Sequence, residues 1–188
     1  MTALDNIHES LKNSINDIDE YYEILKECLT KIQPPKKEFI DKFKEFYEKD
    51  NKKSKVMLWD LQDKIATEDG YQQSDFDCEH IFPKEGHDKW VTDYAEKGYP
   101  DATIIKLKEK RYHIGNLTLL KDSDNRELGD AIIDDKLPYY TQGKGGYTLG
   151  IYKLFKEAYT ENNEVWDDQA IAKLQNKYGE NLEQVYKI

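Results

Sequence analysis

Only two short stretches of this chain have the character of β-strands, and apolar residues recur every three or four positions through most of the rest. Residues 75–83 end in a proline, and residues 114–122 form a glycine-led run with β-branched side chains. Residues 123–133 follow with a capping residue, Ser123 or Asp124, and an apolar helical face. These patterns predict a mainly α fold (α+β), in which helices enclose one small strand–strand–helix unit.

The helical periodicity is longest near the start, where it runs from residue 4 to residue 32 and stops at Pro34 and Pro35. We predict one long amphipathic helix there. Further helices are predicted at residues 39–47, 56–65, 90–97 and 149–159, and from residue 167 onward. The predicted organisation is an N-terminal helical region (1–70), a central unit (71–137), and C-terminal helices of the same compact domain (138–188).

The composition favours a cytoplasmic protein. The chain has 188 residues, of which 38% are hydrophobic and 35% are charged. No apolar run approaches the roughly 20 residues that span a bilayer, and the first residues lack the basic start and apolar stretch of a signal peptide. The two cysteines, Cys28 and Cys78, show no disulfide framework, so we expect free thiols in a reducing compartment.

The net charge of −10 counts against a protein that coats nucleic acid over its whole surface. Affinity depends on local patches, however, and residues 104–126 carry six basic side chains against three acidic ones. Within this stretch, Lys110, Arg111, Lys121 and Arg126 are candidates for contact with nucleic acid. A solvated helix face explains such a run equally well.

Four polar residues belong to the central unit. Glu79 and His80 end the first predicted strand, Asn116 begins the second, and Asn125 lies near the start of the helix. Hydrolysis of a phosphodiester needs a base that takes a proton from water, and histidine is neutral and basic near pH 7. It also needs a hard cation to offset developing charge, and carboxylate and amide oxygens suit Mg²⁺. These residue types therefore indicate phosphodiester hydrolysis.

The strings "EHIFP" (79–83) and "IGNLTLL" (114–120), followed by Asn125, resemble the HNH nucleases with a ββα-metal core. More closely, the chain resembles the C-terminal domain of GmrSD-type restriction endonucleases, a family also called domain of unknown function 1524. The likeness extends to "KVMLWDLQDKI" before these strings and to "VWDDQAIAKLQNKYG" near the end of the chain. It covers residues 6–179.

The resemblance implies a role for each polar residue of the central unit. His80 would be the general base, and Glu79 and Asn125 would hold one divalent ion, Mg²⁺ or Mn²⁺. Asn116 would either orient His80 or brace the loop between the strands. Phosphate contacts would come from basic residues close in sequence, namely Lys110, Arg111, Lys121, Arg126 and Lys136.

The implied function is a Mg²⁺-dependent HNH DNA endonuclease in a restriction or anti-phage system. An NTP-binding domain or subunit is the expected partner. The leading alternative is of a different class, a catalytically weak or inactive DNA-binding or regulatory module that keeps the HNH frame as structure. A protein-interaction scaffold built on the long N-terminal helix is a further alternative. Cys78, His80, His87 and His113 lack the paired Cys-x-x-Cys spacing of a zinc site, which disfavours structural zinc.

Overall fold

The computed structural model describes residues 35–66 and 70–186, and the helix predicted at residues 4–32 lies outside these ranges. Within them the chain forms eight α-helices and two strands. Their order is α1 (Lys36–Phe43), α2 (Lys52–Ile65), β1 (Phe76–His80), α3 (Asp88–Glu96), α4 (Asp101–Lys110), β2 (Leu117–Lys121), α5 (Asp122–Leu128), α6 (Ile133–Thr141), α7 (Tyr152–Thr160) and α8 (Asp168–Tyr186). The prediction of a mainly α fold with one small strand–strand–helix unit is confirmed.

The two strands pair antiparallel, with Phe76 opposite Lys121 and His80 opposite Leu117. α5 begins at the residue after β2 and packs on both strands. β1 is shorter than predicted and ends at His80. It ends there because the side chain of Asn116 replaces the partner strand, accepting a hydrogen bond from the backbone nitrogen of Phe82 at 2.9 Å.

The second strand also begins later than predicted, because residues Ile114–Asn116 form a 3₁₀ turn against α8. A Cβ atom on Gly115 would lie 2.2 Å from the carbonyl oxygen of Ile171. No residue with a side chain fits at that distance without moving the backbone of α8. The glycine of this run therefore permits close packing of the turn on the helix.

The long helix α8 packs on four of the other helices and also contacts the sheet. Its buried residues include Ile171, Leu174, Tyr178 and Leu182, with the spacing of a helix packed on one side. It contacts α1, α2, α4 and α7. The Tyr178 hydroxyl donates to the carbonyl oxygen of Leu117 at 3.0 Å. α8 therefore fixes the first residue of β2, which pairs with the last residue of β1.

The segment after β2 differs from its prediction as a single helix at residues 123–133. The helix α5 ends at Leu128, and Gly129 has a φ of 46°, which interrupts the helical backbone. A separate helix, α6, begins at Ile133 and carries Lys136 into the interior. This change of direction places a lysine beneath the sheet.

A contiguous set of buried hydrophobic side chains extends from Phe43 in α1 to Leu182 in α8 and includes residues of both strands. The division of the chain at residues 70 and 137 stays a prediction. Across the described ranges, no helix has both the length and the apolar character needed to cross a bilayer.

Candidate active site

Glu79 and His80 are the last two residues of β1, and consecutive side chains of a strand point to opposite faces. Their contacts follow this alternation. Glu79 meets Lys136 and Tyr140, whereas the His80 ring meets Tyr112 edge-on with 6.4 Å between ring centres. The two residues predicted to share a site therefore have separate surroundings.

His80 is a largely buried, neutral histidine. It is 8% exposed, and its Nε2 atom is enclosed without a hydrogen-bond partner among the described residues. Burial disfavours the charged ring, and the cations Lys84 and Lys136 repel it, so the pKa of His80 falls to about 3. Buried polar atoms without a partner are uncommon, and a catalytic role is one of the accepted explanations.

Basic side chains gather around Tyr112, the ring that His80 contacts. The central guanidinium carbon of Arg111 lies 4.6 Å from the centre of the Tyr112 ring, and Lys49 Nζ lies 5.9 Å from it. Lys84 Nζ donates to the carbonyl oxygen of Lys49 at 3.4 Å, which brings a third cation to the same region. We call Lys49, Lys84 and Arg111 the basic face. Lys49 and Lys84 are exposed, and Arg111 is half-buried.

Asn116 is completely buried and braces the turn that follows β1. Its Oδ1 accepts from the backbone nitrogen of Phe82 at 2.9 Å and from Trp166 Nε1 at 3.3 Å. Its Nδ2 donates to the carbonyl oxygens of Phe82 at 2.8 Å and Arg111 at 3.0 Å. These bonds engage both the amide oxygen and the amide nitrogen. The structure therefore supports the bracing role and gives no support to direct catalysis by Asn116.

Glu79 forms a buried ion pair with Lys136. Glu79 Oε1 lies 2.5 Å from Lys136 Nζ, and the two side chains are 3% and 0% exposed. Burial raises the pKa of Glu79 and lowers that of Lys136, while the attraction between the two charges opposes both shifts. The prediction that Lys136 contacts a phosphate is contradicted by its complete burial.

Asn125, the other predicted metal ligand, is half-buried in α5. Its Nδ2 donates to the carbonyl oxygen of Cys78 at 3.2 Å, which connects α5 to the middle of β1. Cys78 itself is a buried free thiol whose pKa burial raises to about 12, so it is not available as a thiolate ligand.

The side chains do not form the divalent-metal site that the resemblance implies. Glu79 already has Lys136 as its counter-ion. In the part of the chain that the structure describes, no three His, Cys, Asp or Glu side chains are placed together to hold a metal ion. A metal site with Glu79 as its acidic ligand therefore does not fit this arrangement.

One comparison with known proteins is positive. A protein-family model described as GmrSD restriction endonucleases, C-terminal domain, matches residues 33–181. The chain belongs to this family. The match includes the whole strand–strand–helix unit and most of α8. Comparisons with curated proteins and with solved structures give no match.

In this GmrSD C-terminal domain, the basic residues predicted to contact nucleic acid lie at different places. Arg111 belongs to the basic face, and Lys110 precedes it at the end of α4. Lys121 Nζ lies 4.9 Å from the ring centre of Tyr147. Arg126 is exposed on α5 and bonds within its own helix. Contact of these four residues with phosphates stays a prediction.

Two of the cations in the basic face were not predicted from the sequence. Lys84 follows "EHIFP" directly, so its position beside the motif was a usable signal. Lys49 had no such signal, since tertiary structure alone brings it near His80. The backbone nitrogen of Glu48 donates to the carbonyl oxygen of Tyr112 at 3.0 Å and holds the two segments together.

His87 supports the turn after β1 and belongs to the scaffold of the GmrSD domain. Its Nε2 donates to the carbonyl oxygen of Pro83 at 3.0 Å, and its ring stacks on Phe82 with 4.8 Å between ring centres. His113 packs near Tyr47, with 6.2 Å between ring centres. His87 is a histidine close to His80 in the chain but outside the predicted catalytic set, so its replacement provides a control for the replacement of His80.

Proposed function

We propose that this chain hydrolyses phosphodiester bonds in DNA with His80 as the general base, as the nuclease part of a GmrSD-like restriction system directed against phage. The surroundings of His80 carry the proposal. A neutral imidazole, whose Nε2 atom has no partner among the described residues, packs on the Tyr112 ring, and the basic face gathers around that ring. Membership of a restriction endonuclease family supports the same class of reaction.

A phosphate bound at the basic face would also change the basicity of His80. Burial is the largest cause of the low pKa of His80, and repulsion of the protonated ring by Lys84 adds to it. A phosphate anion beside Lys84 would offset that repulsion, which is the smaller of the two causes. Binding of DNA would therefore shift the pKa of His80 upward.

Dependence on Mg²⁺ or Mn²⁺ remains a prediction from the resemblance. When bound, a divalent ion would offset the charge that develops on the phosphate and on the leaving oxygen. Asn125 remains the predicted ligand: its amide nitrogen donates to the carbonyl oxygen of Cys78, and its amide oxygen is of the type that hard cations bind. An NTP-binding partner and a cytoplasmic location are predictions of the same kind.

One observation favours a second candidate, a catalytically weak or inactive DNA-binding module with the same frame. Glu79, the acidic residue of the predicted metal site, is paired with Lys136 in the interior. Such a protein would bind DNA through the basic face and leave it intact.

Cleavage of supercoiled plasmid separates the two candidates. We expect the wild type to nick plasmid, and parallel reactions with Mg²⁺, Mn²⁺ or EDTA test the metal dependence that the resemblance implies. The His80→Ala variant should lose at least about 100-fold in rate, the usual contribution of a general base. The matched control His87→Ala should keep its rate within about twofold at a temperature where it is folded.

Binding of a fluorescent DNA duplex at low salt completes the test. Binding by wild type and His80→Ala, with no nicking by either protein under any metal or with a candidate NTP-binding partner, identifies the binding module. Equal cleavage by the two proteins rules out His80 as the base.

A further inference from the structure

Lys136 is a fully buried lysine for which the proposed reaction has no use. It projects from α6, and none of its side chain is exposed. A lysine ammonium has three N–H donors, and its transfer out of water is costly unless these donors find acceptors and the charge finds a partner. The surroundings of its Nζ atom therefore decide why it is there.

Three oxygen atoms surround the ammonium of Lys136. Its Nζ lies 2.5 Å from Glu79 Oε1, 2.8 Å from the carbonyl oxygen of His80 and 3.1 Å from that of Ile81. Each N–H donor therefore has an acceptor. Two of the oxygens belong to the backbone at the end of β1, and the third belongs to the residue predicted to hold the metal. The ammonium therefore lies where three oxygen atoms converge, and oxygen is also the donor type that hard cations prefer.

Aromatic side chains of α6 and α7 pack around the Glu79 carboxylate. Tyr140, one turn after Lys136 on α6, donates its hydroxyl to Glu79 Oε1 at 3.5 Å. The Tyr140 ring packs on Tyr152 and Phe155, with 5.6 Å and 5.0 Å between ring centres. These contacts hold the carboxylate toward α6, on the side of β1 opposite the His80 ring.

We propose that Lys136 is a built-in cation and a positioning residue, and that Glu79 is its counter-ion rather than a metal ligand. The ammonium takes the place next to the strand end that the resemblance assigns to a divalent ion. Because it binds the carbonyl oxygens of His80 and Ile81, it also fixes the backbone from which the His80 ring projects. The proposal that Lys136 is the cation paired with Glu79 rests on the contacts alone. The proposal that Lys136 positions His80 for catalysis rests on the proposed function.

Thermal unfolding of wild type, Glu79→Gln, Lys136→Met and the double variant tests the pair. Lys136→Met alone leaves a buried carboxylate unpaired, so we expect Tm to fall by about 10 °C. The double variant should recover at least about half of this loss, because neither charge remains. Additive losses would overturn the proposal. Should Lys136→Met be insoluble, recovery of soluble protein in the double variant supports the pair, and its failure to recover counts against it.

The shift of Tm caused by Mn²⁺, measured against Na⁺ at equal ionic strength, tests the counter-ion role without any cleavage assay. This measurement needs only wild type and Glu79→Gln. We expect the Mn²⁺-induced shift to differ between them by less than about 1 °C. A shift present in wild type and lost in Glu79→Gln would identify Glu79 as a metal ligand and overturn the proposal.

The positioning role is tested with Lys136→Arg, which keeps the charge but presents planar donors that match the three oxygens poorly. At a temperature where the variant is folded, we expect kcat for nicking to fall about tenfold, with KM for DNA unchanged. An unchanged kcat with a lowered Tm would refute positioning. A wild type that does not nick DNA refutes the proposed function instead, and the two thermal experiments still decide the cation role.

Discussion

Glu79 and His80 are neighbours in the chain, yet their side chains occupy two regions with opposite properties. On one side of β1, the Glu79 carboxylate bonds to the Lys136 ammonium and to the Tyr140 hydroxyl in the interior. We call these three residues the sealed side. On the other side, the His80 ring packs on Tyr112, around which the basic face gathers, and its Nε2 atom has no partner among the described residues.

The difference shows that one short motif serves two purposes. A charged pair closed off from water cannot meet a substrate, but it anchors the end of a strand. An imidazole nitrogen that makes no hydrogen bond adds little to stability, but it can accept a proton. We therefore expect substitutions on the sealed side to change the free energy of unfolding, and substitutions near the His80 ring to change DNA binding and cleavage.

A loss of stability as large as that expected for Lys136→Met is expected at Asn116, which is completely buried and braces the turn next to His80. Asn116→Asp removes the donors to the carbonyl oxygens of Phe82 and Arg111 and adds a buried charge. We expect the free energy of unfolding to fall by about 3 kcal/mol, which lowers Tm by about 6–12 °C. Chemical denaturation measures the loss directly.

The matched control is Asn176→Asp, the same change at an exposed position of α8. Its effect should stay within about 0.5 kcal/mol. Equal stability of the two variants would contradict the bracing role of Asn116.

The pH dependence of stability sharpens the comparison at His80. The pKa of His80 is about 3 in the folded state, below the value of 6.5 for an unperturbed histidine. Between these two values the unfolded chain binds more protons than the folded chain, so this contribution to stability is lost as the pH falls from 6.5. The contribution of His80 to the free energy of unfolding is about 2 kcal/mol smaller at pH 5 than at pH 8.

Urea denaturation of wild type and His80→Gln between pH 8 and pH 5 measures this contribution. The unfolding free energy of His80→Gln should fall by about 2 kcal/mol less than that of the wild type between pH 8 and pH 5. His87→Gln, the same change at a half-buried histidine outside β1, is measured alongside as a control for the substitution itself. Identical pH dependence in wild type and His80→Gln would show that His80 is not held neutral in the fold.

The smallest effect is expected from the basic face. Lys84→Gln removes one exposed charge, so we expect DNA affinity to fall about 3–10-fold at low salt and the slope of log K against log[salt] to decrease by about 1. Stability should change by less than about 0.5 kcal/mol. Lys153→Gln, at an exposed position of α7, should change affinity by less than about twofold. Equal losses in the two variants would mean that binding is not centred on the basic face.

Local patterns predicted the strand–strand–helix unit correctly, because strand and helix periodicities are properties of neighbouring residues. His80 ends β1 and Asn125 lies in the following helix, as predicted. The same strand periodicity places Glu79 and His80 on opposite faces, a signal that the predicted metal site did not take into account. The prediction of one helix through residue 133 was wrong because Gly129 interrupts it.

The sequence by itself determined the mainly α fold with one strand–strand–helix unit, the place of the histidine at a strand end and the family to which the chain belongs. It did not predict the helices α4 (Asp101–Lys110) and α6 (Ile133–Thr141). Only the tertiary structure decided which partner each polar side chain finds. Lys136 lies far from Glu79 in the chain. It directly follows Asp134 and Asp135, and such a run of charged residues is typical of an exposed helix face. Its burial depends on how α6 packs against the end of β1, and no local pattern of charge encodes that contact.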